Sequence, residues 1–105
     1  MLDMISMMKQ AHQMQGKVKQ IQKKLGKVRV EGQAGDGKVR VRMNGKFEAI
    51  SVHIDDTVHQ GKKDVLETLV CAAFCDAAAL ARQETEAKYK DAFGDSLPPG
   101  MTLPS

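Results

Sequence analysis

Apolar residues in the first 25 positions recur at alternating spacings of three and four. They are Met4, Met7, Ala11, Met14, Val18, Ile21 and Leu25. This heptad-like spacing places them on one narrow stripe of a helix. Gly26 is typical of the residue that follows a helix C-terminus, whereas Gly16 weakens the helix interior because glycine has low helix propensity. We therefore predict a first helix over residues 1–25 with a single apolar stripe.

The next segment alternates apolar and polar residues, which is the period of a β-strand. Three strands are predicted, over residues 27–31, 38–43 and 47–54. In the third strand the alternation places Ile50, Val52 and Ile54 on one face. Gly35-Asp36-Gly37 marks the first turn, and Asn44-Gly45 predicts a type I′ turn because both residues tolerate positive φ. The three strands should form an antiparallel meander with one apolar and one polar face.

A second helix is predicted over residues 62–93, ended by Gly94. Its core-facing residues are Leu66, Leu69, Val70, Ala73, Ala77, Leu80 and Ala81. Beyond Ala81 this apolar pattern becomes sparse and continues only at Ala87. The many alanines allow another backbone to approach closely. In the polar loop before the helix, Asp55 and Asp56 are interpreted as helix-capping residues rather than as an acid–base pair.

The order of these elements predicts an α+β fold, an α-β-β-β-α protomer with a three-stranded antiparallel meander and two long helices. Residues 1–94 are expected to form a single domain, followed by an irregular C-terminal tail over residues 95–105. Both helices are expected to cover the apolar sheet face. Such a sheet is only ~15 Å wide, whereas the helices are roughly 35 and 45 Å long. Their overhanging apolar stripes need a partner, and a homodimer is the simplest one.

Charge is distributed unevenly along the chain, although the net charge is only +3. Residues 1–46 carry eleven Lys or Arg against three Asp or Glu, and residues 47–105 carry five against ten. This asymmetry favours a polyanionic partner for the basic half, although it is also compatible with ordinary solubility. An acidic protein or an anionic membrane is a competing partner for such a surface.

The candidate DNA-binding residues are the cations of this basic half. They are Lys9, Lys17, Lys19, Lys23, Lys24, Lys27, Arg29, Lys38, Arg40 and Arg42. The lysines up to Lys24 lie opposite the apolar stripe of the first helix, and the others are assigned to the polar faces of the first two strands. Cations without interleaved aromatic residues contact phosphates and carry no base information. We therefore expect binding that depends strongly on salt and is weakly selective for sequence.

Other reactive residue types do not form a recognisable constellation. Cys71 and Cys75 are four residues apart, and we interpret them as buried hydrophobes in preference to a redox pair or a metal site. His12, His53 and His59 fall on three different predicted elements. The sequence therefore predicts no enzyme, no metal and no cofactor. The chain has no run of ~20 apolar residues and no pattern of a signal peptide, so the cytosol is the expected location.

Six segments together resemble the YbaB/EbfC nucleoid-associated family. They are residues 8–15 (MKQAHQMQ), 35–39 (GDGKV), 43–45 (MNG), 54–55 (ID), 66–77 (LETLVCAAFCDA) and 97–101 (LPPGM). They occur over nearly the whole chain and in the same order as in that family. The resemblance implies a bacterial cytosolic protein of the nucleoid and a tweezer-shaped homodimer with projecting helices. It further implies double-stranded DNA binding, effects on nucleoid organisation or gene expression, and no cofactor or active site.

This chain differs from the family pattern in its first helix. After Asp3 that helix contains no acidic residue, and Gly16 lies in its middle. The absence of acids favours tighter DNA binding than in a typical relative. The alternative function is a protein-binding adaptor or chaperone-like dimer that uses its basic face and its methionine-rich stripe, because methionine suits adaptable apolar contacts.

Overall fold

A computed structural model describes the backbone of residues 2–94 and the side chains of residues 4–94. The elements are α1 (Leu2–Lys27), β1 (Val30–Ala34), β2 (Val39–Met43), β3 (Ala49–Ile54), α2 (Asp56–His59) and α3 (Lys63–Phe93). The predicted α+β class and its element order are confirmed, with the short helix α2 added before α3. The predicted tail over residues 95–105 lies outside the described residues.

The three strands form one antiparallel sheet in the order β1-β2-β3. Val39, Val41 and Met43 of β2 have no exposed surface, because β2 is the central strand and α3 covers this face. The alternate residues Arg40 and Arg42 lie on the opposite, open face. The predicted meander and its alternation are therefore confirmed for the central strand.

Helix α3 approaches the sheet closely because small residues meet at the contact. Ala73, Ala77 and Ala81 have no exposed surface. Gly32 of β1 lies directly beneath them, where a Cβ atom would overlap the backbone of Ala73 and Ala77. The alanine pattern thus predicted correctly that another backbone approaches α3.

Helix α1 does not cover the sheet, contrary to prediction. It packs along the C-terminal part of α3, where Ile21 and Leu25 form a buried cluster with Tyr89. The core stripe of α3 continues at intervals of four through Thr85 and Tyr89, which are buried, whereas the predicted Ala87 is exposed. The overhanging parts of the two helices therefore cover each other within one chain.

Only the second half of the α1 stripe is covered in this way. Met14 and Val18 are half-buried, but Met4 and Met7 remain 70% and 65% exposed. The overhang argument for a dimer is accordingly weaker than the sequence suggested, because a large part of the stripe has an intramolecular partner.

The C-terminal end of α1 is fixed to the β2–β3 turn and to α3. The Gly45 backbone N–H donates to the Leu25 carbonyl oxygen at 2.8 Å. The Gly45 carbonyl oxygen accepts from the buried Thr85 hydroxyl at 2.9 Å. Because a side chain at Gly45 would collide with Leu25, glycine is required for this close approach. The junction sets the direction in which α1 leaves the sheet.

The first strand begins three residues later than predicted. Lys27 still belongs to α1, and Arg29 lies in the link to β1. Arg29 Nη1 donates to the carbonyl oxygens of Gly26 and Val28, at 2.9 Å each. This guanidinium satisfies carbonyl groups at the helix end, which the alternating pattern of the sequence could not reveal.

The type I′ geometry predicted for the β2–β3 turn occurs in the β1–β2 turn instead. Asn44-Gly45 does not have the predicted type I′ geometry, since the positive φ in that turn falls on Phe47 (65°). Asn44 Oδ1 instead accepts from the backbone N–H groups of Lys46 and Glu48 at 2.8 and 3.0 Å. Positive φ at both central residues, typical of type I′, occurs at Asp36-Gly37 in the β1–β2 turn.

Two further placements differ from prediction at the β3 side of the molecule. A register irregularity between Arg42 and Met43 moves Ile50 out of the face shared by Val52 and Ile54. Cys71 and Cys75 are exposed free thiols rather than buried residues. The exposure of the two cysteines follows from the packing, because α3 covers β1 and β2 but leaves β3 and its own neighbouring flank open.

Candidate nucleic-acid interface

Helix α1 presents most of the predicted cations on one continuous element. From Met4 to Lys27 it contains six lysines and no acidic residue. All six lysines are exposed. Lys9 and Lys27 are 18 residues apart, which corresponds to roughly 27 Å along the helix axis. This distance is comparable with several phosphate spacings of a duplex, because B-DNA carries one charge per ~1.7 Å of axis.

The six lysines divide into two groups according to the position of α3. Lys17 and Lys24 line the depression between α1 and α3, and Lys17 Nζ lies 5.7 Å from the centre of the Phe93 ring. Lys9, Lys19, Lys23 and Lys27 lie outside that depression. No lysine of α1 forms an ion pair with any group in residues 4–94. The four outer lysines, which we call the outer lysine face, are therefore uncompensated.

The predicted arginines Arg40 and Arg42 lie on the open face of the sheet, where an acidic side chain, Glu31, lies beside them. Arg42 Nε lies 3.7 Å from Glu31 Oε1, which partly neutralises it. Arg40 pairs across the strands with His53, and its buried Nε has no hydrogen-bond partner among the described residues. The depression around them contains Glu31 as well as the two arginines. This face is therefore less suited to a polyanion than α1.

The remaining predicted cations are separated from both surfaces. Lys38 lies in the β1–β2 turn, where its charge contributes to the electrostatics of Asp55. Arg29 is held against the end of α1 by the two carbonyl groups that it caps. The structure thus brings the α1 lysines together but does not place all ten predicted residues on one surface.

Lys46 is a further cation near α1 that was not included among the predicted site residues. It is exposed in the β2–β3 turn, with its side chain next to Gly26 at the end of α1. The hydrogen bond from Gly45 to Leu25 brings it there. No local sequence pattern indicates this position, because it depends on how α1 docks against the turn.

Of the two loop acids, Asp55 has the predicted capping role, whereas Asp56 is the first residue of α2 itself. Asp55 is the N-cap of α2, and its Oδ1 accepts from the Thr57 backbone N–H at 2.9 Å and from the Thr57 hydroxyl at 2.8 Å. These hydrogen bonds, the backbone one above all, hold the pKa of the Asp55 carboxyl below its usual value. Within residues 2–94 no group of three His, Cys, Asp or Glu side chains is arranged to hold a metal ion.

Comparison with known proteins identifies the family. The sequence profile of the YbaB/EbfC DNA-binding family matches residues 1–96. The chain belongs to this family. It is 41% identical over 106 residues to a nucleoid-associated protein of Methylocella silvestris, with 99% of each chain covered. It is 42% identical over 105 residues to a nucleoid-associated protein of Rhodopseudomonas palustris, covering 98% of this chain and 100% of that one.

A solved structure shows the same fold. The crystal structure of an uncharacterized protein from Helicobacter pylori superposes with a TM-score of 0.76 at 19% identity, and the match covers 84% of this chain and 94% of that one. Family membership confirms the resemblance inferred from the sequence and makes DNA the general partner. The YbaB/EbfC family is a DNA-binding family and not an enzyme class. No helix within residues 2–94 is long and apolar enough to cross a membrane.

Proposed function

We propose that this YbaB/EbfC protein is a nucleoid-associated homodimer that binds double-stranded DNA with weak sequence selectivity through the outer lysine face of α1. The observation that carries the proposal is the uncompensated charge of Lys9, Lys19, Lys23 and Lys27 on an exposed helix without acids. Lysine ammonium groups are strongly hydrated point charges that bind phosphates without bidentate base recognition. Such contacts hold a duplex without selecting its sequence.

The elongated shape supports an effect on DNA conformation. The molecule measures 70 × 20 × 18 Å, with α1 and the end of α3 forming an arm that leaves the sheet. Two such arms in one dimer contact DNA at two separated places, which constrains the path of the duplex between them. We propose that gene expression is influenced through this constraint, in the cytoplasm at the nucleoid. The names of the two relatives, both nucleoid-associated proteins, support the nucleoid as this location.

A salt titration tests the proposal directly. The apparent Kd of the wild-type protein for duplexes of different sequence is measured by gel shift or fluorescence anisotropy between ~50 and ~300 mM salt. Neutralising phosphates releases counterions, so log affinity falls linearly with log salt, by about 0.9 for each contact. We expect a steep slope that is nearly the same for every sequence. Failure to bind any duplex at ~50 mM salt would refute the proposal.

The adaptor alternative is favoured by one observation, the exposed apolar tip of α1. Met4, Ile5, Met7 and Met8 are each at least 63% exposed. The salt titration separates the two functions, because an adaptor that binds proteins through this tip is expected to bind duplex DNA weakly or not at all. The family assignment favours DNA.

A further inference from the structure

The apolar stripe of α1 continues beyond the end of α3. Its C-terminal part packs on α3 through Ile21 and Leu25. Its N-terminal part, which we call the N-terminal stripe, consists of Met4, Met7, Ala11 and Met14. Met14 is half-buried, whereas Met4 and Met7 are 70% and 65% exposed. The described part of the chain therefore leaves most of this surface open.

We propose that the segment following α3, residues 95–105, docks along the N-terminal stripe of its own chain. The contact continues the packing of α3 against α1. It does not depend on the proposed DNA binding, because Lys9, the outer lysine at this level of α1, lies on the other side of the helix. Lys9 is two residues from both Met7 and Ala11, which places it about 160° away from them around the axis.

The end of α3 lies beside the start of the N-terminal stripe. Phe93 lines a depression together with Gln10, Gln13, Met14 and Lys17. The next residue, Gly94, ends α3 with a φ of 63°, a left-handed conformation in which the chain leaves the helix. The segment therefore begins close to Met14, at one end of the surface that it is proposed to cover.

Helix α3 runs antiparallel to α1, towards the N-terminal stripe. Gln22 Nε2 donates to the Tyr89 hydroxyl at 3.3 Å. One turn further along α3, the Phe93 ring lies 5.7 Å from Nζ of Lys17, which precedes Gln22 in α1. A segment that continues in the direction of α3 therefore passes along α1 from Lys17 towards Met4.

The segment is long enough to cover the stripe. Lys17 and Met4 are 13 residues apart, or about 20 Å along α1. The eleven residues 95–105 span up to roughly 36 Å when extended. At the ~3.1 Å per residue of the extended conformation that proline favours, Leu97 lies about level with Ala11 and Met101 about level with Met4.

The composition of the segment complements the stripe. Its apolar side chains other than proline are Leu97, Met101 and Leu103, and Asp95 is its only charged side chain, opposite a basic helix. Methionine adapts to irregular apolar surfaces, so a stripe rich in methionine suits a short extended segment. All three prolines of the chain lie in this segment. Because proline fixes φ, ordering the segment costs less conformational entropy.

Tethering favours this segment over a second molecule as the occupant. The segment is joined to the chain at Gly94, beside the stripe, so its effective concentration there is on the order of millimolar. A second copy at micromolar concentration competes poorly with it. The docked segment covers Met4 and Met7, which belong to the apolar tip that favours the adaptor alternative.

Disulfide trapping tests the contact in the full chain. Met4→Cys is combined with Met101→Cys after Cys71 and Cys75 have been replaced by Ser, because both native thiols are exposed. The matched control combines Ile5→Cys with Met101→Cys. Ile5 is 63% exposed and lies at the same level of α1 as Met4, but about 100° away from it around the helix.

The Met4 pair should form a disulfide within one chain at least about tenfold faster than the Ile5 pair, since docking holds the segment on one side of α1. Mass spectrometry after mild oxidation measures both rates. A product with twice the chain mass of 11.5 kDa would show that a second copy occupies the stripe, which overturns the proposal. Equal rates for the two pairs overturn it as well.

Peroxide oxidation of the protein with its native cysteines is a second measurement, so a folding defect in a cysteine variant does not remove the test. Leu97→Ser combined with Met101→Ser should raise the oxidation rate of Met7 about fivefold, because a covered methionine becomes accessible. Ser96→Ala combined with Thr102→Ala is the matched control and should leave that rate unchanged. The same rate in all three proteins, each verified as folded by circular dichroism, would overturn the docking.

Discussion

Replacing Lys19 and Lys23 by Gln tests whether DNA binds to the outer lysine face. Both lysines are exposed on the side of α1 away from α3, and neither forms an ion pair among the described residues. Gln has a helix propensity similar to that of Lys, so α1 should remain folded. The double variant removes two positive charges from each protomer and leaves the packing of Ile21 and Leu25 untouched.

The expected effect follows from the number of lysines. Four outer lysines in each of two protomers give at most eight phosphate contacts, hence a slope of log affinity against log salt of roughly −7. Removing four contacts per dimer should reduce the slope to roughly −4. The same relation gives about an eightfold loss of affinity per contact at 0.1 M salt. Affinity should therefore fall by about 4000-fold, or roughly three and a half orders of magnitude, and equally for all sequences.

Two comparison variants isolate the position of the charges from their number. Lys62→Gln combined with Lys63→Gln removes the same charge from the start of α3, outside α1, and should change the slope little. Arg40→Gln combined with Arg42→Gln tests the open sheet face, where Glu31 already partly neutralises Arg42. Its effect should be clearly smaller than that of the α1 variant. The assay is fluorescence anisotropy at four or more salt concentrations, with the dimer verified by light scattering.

An unchanged slope in the α1 variant would refute the assignment of DNA binding to this face. A larger effect of the arginine variant would move the interface to the sheet. A uniform loss in all three variants would indicate a response to net charge rather than to a specific surface.

Two predictions concern stability. Gly32→Ala should lower the free energy of unfolding by about 3 kcal/mol, because the added Cβ would lie 2.7 Å from the Ala77 Cα and rigid helix backbone must move away. That loss corresponds to roughly 12–24 °C in Tm. The same change at Gly16, which has nothing within 4 Å, should raise stability slightly, and equal Tm values for both variants would contradict the close contact. Asp55→Asn keeps an N-cap but removes the titrating carboxyl. The pKa of this carboxyl is lower in the folded protein than its ordinary value of 3.8, so its ionised form stabilises the folded state above pH 3.8, and this stabilisation is lost as the pH falls through the folded-state pKa. The difference in Tm between wild type and Asp55→Asn should therefore change below pH ~4, and parallel profiles down to pH ~2 would contradict it.

The sequence by itself determined the elements and their order. The three-and-four spacing of α1, the alternation in β2 and the alanines of α3 are local patterns, and each reports which side of an element is apolar. They were sufficient for the α+β class and for the lysines opposite the α1 stripe. The family could also be inferred from the sequence, because the six segments that resemble it are distributed over most of the residues that the family profile matches.

The tertiary structure decided what each apolar side faces. Periodicity shows that α1 has an apolar stripe, but only the docking of Leu25 against Gly45 shows that its partner is the end of α3 and not the sheet. The exposure of Cys71 and Cys75 has the same origin, because a three-stranded sheet is wider than the single helix that covers it. The local pattern records the apolar character of a residue and not the identity of its neighbour. The division of the predicted cations between α1 and the open sheet face therefore became visible only once the elements were packed.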